Sequence, residues 1–404
     1  RREQARALAA RDAEAEARRD AEALLAGALE LSTRFLSGFV DRVRDLQGSP
    51  ETTRELLESV LTHLDSLDPD LPDVRYLRAS TLLRLGSVLG DSVSSNLGDH
   101  EQARQLYDEA LELSSGLHAA FPDDVRFAAH KADSHLALGT WLASDGRHVE
   151  SLDHGVTALE LWTGLTERVP QNLMYHHRRG VALQSVAVAL AQTQGDDAAE
   201  PWALQELELA EWLHEQRPDD ALFCQGLAAS LSLRADTLLA RDVQAADAAR
   251  AREQVLLERL ATDRPEDDSV RSALGKCLEW RSNYAMRRGD ADAAEAFARR
   301  STALFEKLVA RTPGDSRFPR QLGYSLFNLG EVHHMRAVTA PADAAAARAQ
   351  HWADARRCYE RSLELFLRLR DEGRLPGRDA EVPADIQGFI DMARRGEAEA
   401  RPAG

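Results

Sequence analysis

Apolar side chains recur along most of this chain with the three-and-four spacing of an amphipathic helix, and the pattern stops and restarts at a fixed interval. From Leu24 it runs through Leu25, Ala28, Leu29, Leu31, Phe35, Phe39 and Val43 until Gly48-Ser49-Pro50 ends the helix. Residues 51–67 predict a second helix with Leu56, Leu57, Val60, Leu61 and Leu64 on one face. Before Leu24 the chain is Arg, Ala, Glu and Asp with almost no large apolar residue. Residues 1–23 therefore predict a charged connector helix with no face to bury, and 24–68 a capping helix pair.

The regular array begins at residue 69. Pro69, Pro122, Pro170, Pro218, Pro265 and Pro313 follow one another at gaps of 53, 48, 48, 47 and 48 residues, several in acidic turns such as Pro122-Asp-Asp and Pro265-Glu-Asp-Asp. A fixed period of this size predicts stacked supersecondary units. Seventeen residues after each proline stands a small residue: Gly86, Gly139, Ala187, Ala235, Ser282 and Gly330. A small side chain at one fixed helical position lets two helices approach closely. A turn follows, at Asp145-Gly146, Gly195-Asp196, Arg241-Asp242 and Gly289-Asp290, delayed in the first unit to Gly98-Asp99. A second helix then carries Ala110, Ala158, Glu206, Glu253 or Ser301 twelve residues before the next proline. An Ala-rich insertion near 337–350 precedes a last helix with Tyr359, Leu363, Leu365 and Phe366. Residues 371–404, with Gly, Pro and charges, predict a fraying, partly disordered tail.

These features resemble the tetratricopeptide repeat (TPR): a helix pair, a small residue in the first helix, an Ala in the second and a closing Pro. The standard unit has 34 residues. Here Gly139 and Ala158 are 19 apart, so each helix is lengthened by nearly two turns without rotating its apolar face away. The resemblance implies an all-α, right-handed α-solenoid of stacked antiparallel helix pairs over 69–370, with ~48-residue units. Leu46-Gln-Gly-Ser-Pro, Arg54-Glu-Leu-Leu, Leu64-Asp, Leu85-Gly and Ser95-Asn-Leu-Gly-Asp resemble, more narrowly, the TPR-like regions C-terminal to bacterial serine/threonine kinases. No Gly-rich phosphate loop, His-Arg-Asp loop or Asp-Phe-Gly accompanies them, so a catalytic domain of that kind is expected elsewhere if at all. The start at Arg1 rather than Met fits a piece of a longer protein.

Composition narrows the function. Fifty basic against 67 acidic residues give −17, which argues against a nucleic-acid surface and favours a basic partner. Cys224, Cys277 and Cys358 are odd in number and widely spaced, which points to free thiols and a cytoplasmic location; a kinase-linked array could instead lie beyond a membrane span. No run of 18 apolar residues predicts membrane insertion. The densest histidines (His130 with His135, His176-His177, and His333-His334 before His351) lack metal-ligand spacing, and no cofactor is expected. Cys277 sits in an apolar helix with no helix N-terminus to activate it. The aspartates after the prolines are placed as N-caps. The six tryptophans are expected as packing anchors.

What remains is binding through a groove. In TPR arrays the first helices line the concave face, and by position that face would offer Asp133, Thr140, Gln184, Asp236, Lys276, Glu279, Asn283, Tyr324, Glu331 and His334. Lys276 with Asn283 partly resembles the clamp that some TPR domains use on a C-terminal carboxylate. The expected function is a non-enzymatic protein- or peptide-binding scaffold, the sensor or regulatory arm of a bacterial signalling or defence system acting on a fused or associated effector. The alternative is a structural or oligomerisation scaffold working through its convex face or N-terminal helix.

Overall fold

The computed structural model describes residues 49–90, 97–341 and 343–400 continuously, with a few positions between 11 and 27. The connector expected over 1–23, the first helix of the capping pair and the extra residues of the first unit at 91–96 lie outside that description. Among the described residues the chain is fourteen α-helices and one short 3₁₀ turn, with no strand. In order they are α1 (Ser49–Leu64), α2 (Pro72–Gly90), α3 (His100–Ala120), α4 (Val125–Ser144), α5 (His148–Arg168), α6 (Leu173–Gln194) and α7 (Asp196–Gln216). Then follow α8 (Ala221–Leu238), α9 (Val243–Asp263), α10 (Asp268–Arg287), α11 (Ala291–Arg311), α12 (Arg317–Thr339), α13 (Ala345–Asp371), the 3₁₀ turn Gly377–Asp379 and α14 (Val382–Ala400). Each helix packs on the next, and first helices of successive pairs also touch: α2 on α4, α4 on α6, α6 on α8 and α10 on α12. Among the described residues no helix is long and apolar enough to cross a membrane.

The turns are built as the acidic residues require. Asp124, Asp220 and Asp267 follow the prolines and accept the backbone N–H of Arg126, Leu222 and Ser269 at 2.9, 3.0 and 3.0 Å. Asp99, Asp242 and Asp290 cap the second helices in the same way, from Gln102, Ala245 and Ala293. Each such cap contributes roughly 1 kcal/mol by satisfying an amide that the first helical turn leaves unbonded. At Gly146, Gly195 and Gly289 the chain turns with φ between +75° and +92°, open to glycine at little cost.

The small residues hold the pairs together. A Cβ added at Gly86 would come within 2.6 Å of the Tyr107 ring, and one at Gly330 within 2.5 Å of Tyr359. The Oγ of Ser282 donates to the Ala294 carbonyl at 2.9 Å. At the matching second-helix position Ala110 and Ala158 are fully buried, Ser301 bonds the Gly275 carbonyl at 2.8 Å, and Glu206 and Glu253 place carboxyls where alanine stands elsewhere. Trp141, Trp162 and Trp352 are packing anchors, whereas Trp212 and Trp280 remain more than a third exposed.

The Ala-rich stretch near 337–350 spans the end of α12 and the start of α13. One expectation is corrected. As far as residue 400 the tail is packed rather than frayed: α14 buries Ile386, Ile390 and Ala393 against Tyr359 and Phe366, and Phe389 meets Phe327 edge-on at 4.9 Å. Those residues sit at i, i+3, i+4 and i+7, an amphipathic stripe that occupies the place of a further first helix.

Candidate functional site

The inner faces of α2, α4, α6 and α8 line a half-open cavity of about 670 Å³, flanked by residues of α3, α5 and α7. Asp133, Thr140 and Gln184, three of the ten positions picked from sequence, line it together with His177, Arg178, Glu206 and Gln225. Asp133 accepts from Arg178 Nε at 2.8 Å, which fixes both walls; burial raises the carboxyl pKa and the guanidinium opposes that. Burial pushes His177 down to about 4, so its imidazole is neutral near pH 7. Ser230 Oγ donates to Glu206 Oε1 at 2.5 Å, while Oε2 is buried and finds no hydrogen-bond partner. Burial pushes this carboxyl up to about 8, so at neutral pH it is a protonated acid facing the cavity.

The remaining sequence-picked positions separate into two groups. Asp236, Asn283, Glu331 and His334 are engaged between helices. Asp236 accepts from Arg250 Nη2 at 2.5 Å, Asn283 accepts from Asn328, Glu331 accepts from the Tyr359 hydroxyl, and His334 stands 4.9 Å from the Trp352 ring. Lys276, Glu279 and Tyr324 belong to a charged region at the other end of the inner face. Burial and the neighbouring Arg317, Arg320 and Arg378 push Lys276 down to about 8. Burial pushes Glu279 up to about 7 against the pull of Lys276. The Tyr324 hydroxyl donates to Asp379 Oδ1 at 2.7 Å, and Arg320 Nη1 lies 3.6 Å from Asp379 Oδ2. The carboxylate held at this end is therefore the chain's own, and its cationic neighbours are Arg320 and, at 3.7 Å, Arg378 rather than the Lys276–Asn283 pair.

Asp379 belongs to a segment between α13 and α14 that crosses the interior. Arg374 Nε donates to the Leu97 carbonyl at 3.0 Å and Nη2 to the Gly314 carbonyl at 2.8 Å, tying the first unit to the last. Gly98 lies against the Arg374 stem, and Gly377 approaches Asp145 so closely that a Cβ would stand 2.8 Å from its Oδ1. Arg378 lines the cavity itself. Sequence reasoning missed Arg320, Arg374, Arg378 and Asp379, because partners up to 277 residues apart leave no local signal. Gly373 and Pro376 are turn formers that could have marked an ordered crossing.

Other clusters carry less chemistry. His333, His351 and Asp354 bring ligand atoms within 4.8 Å of one another across the α12–α13 pair, which the sequence spacing did not reveal. Tetrahedral zinc with ligands at about 2.0–2.1 Å needs edges of roughly 3.4 Å, and Asp354 Oδ1 already accepts from Arg357 and Gln350. As it stands the trio is an open, partly engaged set and not a formed metal site. His135 Nδ1 meets His154 Nδ1 at 2.9 Å instead of His130, which pairs with Ser80. All three cysteines are free, and burial raises each thiol, Cys358 to about 11, so none is an activated nucleophile.

No family model matches the sequence, and no curated protein matches it. Solved structures are similar to it at low identity, each with a TM-score below 0.5. BtubC from P. vanneervenii is 14% identical, covering 67% of this chain and 92% of that one with a TM-score of 0.47. A Rap protein complexed with competence and sporulation factor is 12% identical over 92% and 100%, with a TM-score of 0.44. A thermophilic TPR protein of Thermus thermophilus is 17% identical over 61% and 98%, with a TM-score of 0.38. The repeated helix pairs, their closing prolines and their small-residue contacts make the fold a TPR-like α-solenoid with lengthened helices.

Proposed function

We propose that this chain is a non-enzymatic scaffold that binds a peptide segment of a protein partner in its inner channel. The supporting observation is the cavity of about 670 Å³ with Glu206 Oε2 buried on its wall and unpartnered. The volume falls within the roughly 300–1,000 Å³ of ligand-sized sites. A buried acid without a partner costs about 1–3 kcal/mol, which a ligand would offset either as an acceptor for the protonated acid or as a cation that ionises it. Asp133, Thr140 and Gln184 form the walls that read such a segment, and its partner group for Glu206 is a basic or amide side chain. Acting as the sensor or regulatory arm of a bacterial signalling or defence protein, the array would transmit occupancy to a fused or associated effector as a change in curvature, because small rotations between units add up. The free thiols favour the cytoplasm.

Random-peptide phage display on the immobilised chain tests this. Peptides enriched on the wild type are expected to be lost on Gln184→Trp and Thr140→Trp, which fill the cavity, and retained on Val255→Glu, an exposed position on α9. Enrichment that survives both tryptophans would move the interface off the inner channel.

A further inference from the structure

The crossing segment has the marks of a ligand held in cis. A solenoid unit ordinarily touches only its neighbours, yet Arg374 reaches the carbonyls of Leu97 and Gly314, at opposite ends of the array. Four residues on, Arg378 enters the cavity walled by Asp133 and Glu206. Asp379, 3% exposed, lies between the Tyr324 hydroxyl and Arg320.

The two environments differ in charge. The cavity offers the Glu206 carboxyl and Asp133, the latter paired with Arg178. Beside Asp379 stand Arg320 and, from the segment itself, Arg378, and Lys276 and Arg317 stand near Arg320 in turn. Arg317 is paired with Asp315. Glu279 supplies only partial compensation for Lys276 near neutral pH. Apart from Arg378, which belongs to the segment, Arg320 and the incompletely offset Lys276 leave a positive charge on the receptor side that an acidic group compensates. Asp379 is the acidic group that does.

We infer that residues 374–379 are an intramolecular pseudo-ligand, and that the channel's partner is a peptide presenting a basic residue next to an acidic one, whose carboxylate replaces Asp379 on Tyr324 and Arg320. This rests on the channel-binding reading above and adds both its regulation and the chemistry of its ligand. The segment clasps the first unit to the last, so a bound peptide releases the clasp and the solenoid opens. Arg374 holds the clasp without touching the carboxylate subsite, which makes the two separable by substitution.

The probe is a fluorescein-labelled peptide of residues 372–381, titrated in trans by fluorescence anisotropy into full-length chains. If the clasp is closed in about nine of ten wild-type molecules or more, Arg374→Ala binds the probe at least about tenfold more tightly than wild type, since apparent affinity scales with the competent fraction. That gain is expected to vanish with a probe carrying Asp379→Asn, and in Arg374→Ala/Tyr324→Phe. X-ray scattering should show a larger radius of gyration for Arg374→Ala, with unchanged far-ultraviolet circular dichroism confirming that the helices persist. Equal binding by wild type and Arg374→Ala, no binding by either, or indifference to Asp379→Asn in the probe would overturn the inference. None of those results would touch peptide enrichment that depends on Gln184 and Thr140, so the channel reading fails or stands separately.

Discussion

At the residue scale, two features have measurable consequences. Glu206 has its carboxyl pKa raised from 4.5 to about 8 by burial. Between those values the folded state binds a proton that the unfolded state has released, so stability falls as pH rises from about 4.5 to 8 and levels off above. Glu206→Gln, an isostere of the protonated acid, should remove that contribution and give a higher Tm than wild type at pH 8.5 but not at pH 5. Thermal melts at the two pH values decide it; parallel pH curves would mean that Glu206 is ionised in the fold. The glycines form a second, internally controlled pair. A methyl at Gly330 has to displace the buried Tyr359 ring, whose hydroxyl is bonded to Glu331, whereas one at Gly116 meets nothing within 4 Å. Gly330→Ala is expected to destabilise by about 1–3 kcal/mol through overpacking. Gly116→Ala should stabilise by about 0.5–1 kcal/mol through helix propensity alone. Urea denaturation of both variants tests the claim that the repeated small residue exists for helix contact.

At the element scale, α9 shows how one helix is tied to its neighbours by charge as well as apolar area. Arg250, 1% exposed, donates to Asp236 and Ser232 on α8 and to Glu253 at 2.9 Å, and lies over the Trp280 ring of α10 at 5.4 Å. Burial opposes its charge, but Asp236 and Glu253 outweigh that and raise its pKa. Removing one member of such a buried set leaves charges without a counterion, so Arg250→Met is expected to cost about 3–5 kcal/mol. Arg259→Ala, an exposed partner of Asp219 on the same helix, should change stability by less than about 0.5 kcal/mol. Similar losses from both in equilibrium unfolding would show that the network contributes nothing special. Elements of this kind mark the limit of what the sequence shows. Helix pairs, turns and caps were legible because the apolar period, the prolines and the post-proline aspartates act within a few residues of one another. Glu206 and Glu253 stood out only as departures from alanine, because the Ser230 and Arg250 that receive them lie on other turns or helices. α14 was missed despite its Ile386, Phe389, Ile390 and Ala393 stripe, because the Gly and Pro residues before it read as the end of order.

At the scale of the whole molecule, the candidate site was half legible for a related reason. Positions 133, 140 and 184 follow from the repeat register, so they could be placed on the inner face in advance. The register also put Asp236, Asn283, Glu331 and His334 there, yet each is taken up by a neighbouring helix, which depends on the identity of the side chain opposite. The crossing from Arg374 to Asp379 depends on superhelical curvature, a sum of small rotations that no single unit encodes. That crossing changes how stability is distributed. In a linear array, loosening one contact affects adjacent units and fades with distance. Here Arg374 joins residues 97 and 314, so Arg374→Ala should raise amide hydrogen exchange at both ends, in α2 and the start of α3 and in the first turns of α12. Among the described residues the central helices α6 to α8 carry no hydrogen bond to Arg374 and meet the segment only through Arg378, so their exchange should change less than that of the two ends. Exchange measured by mass spectrometry on the full chain distinguishes this from the linear alternative. There the increase would be confined to the C-terminal helices α12 to α14 and would leave α2 unchanged. A two-ended response would establish that the first and last units are coupled through the interior, which is the property a curvature-reading effector would require.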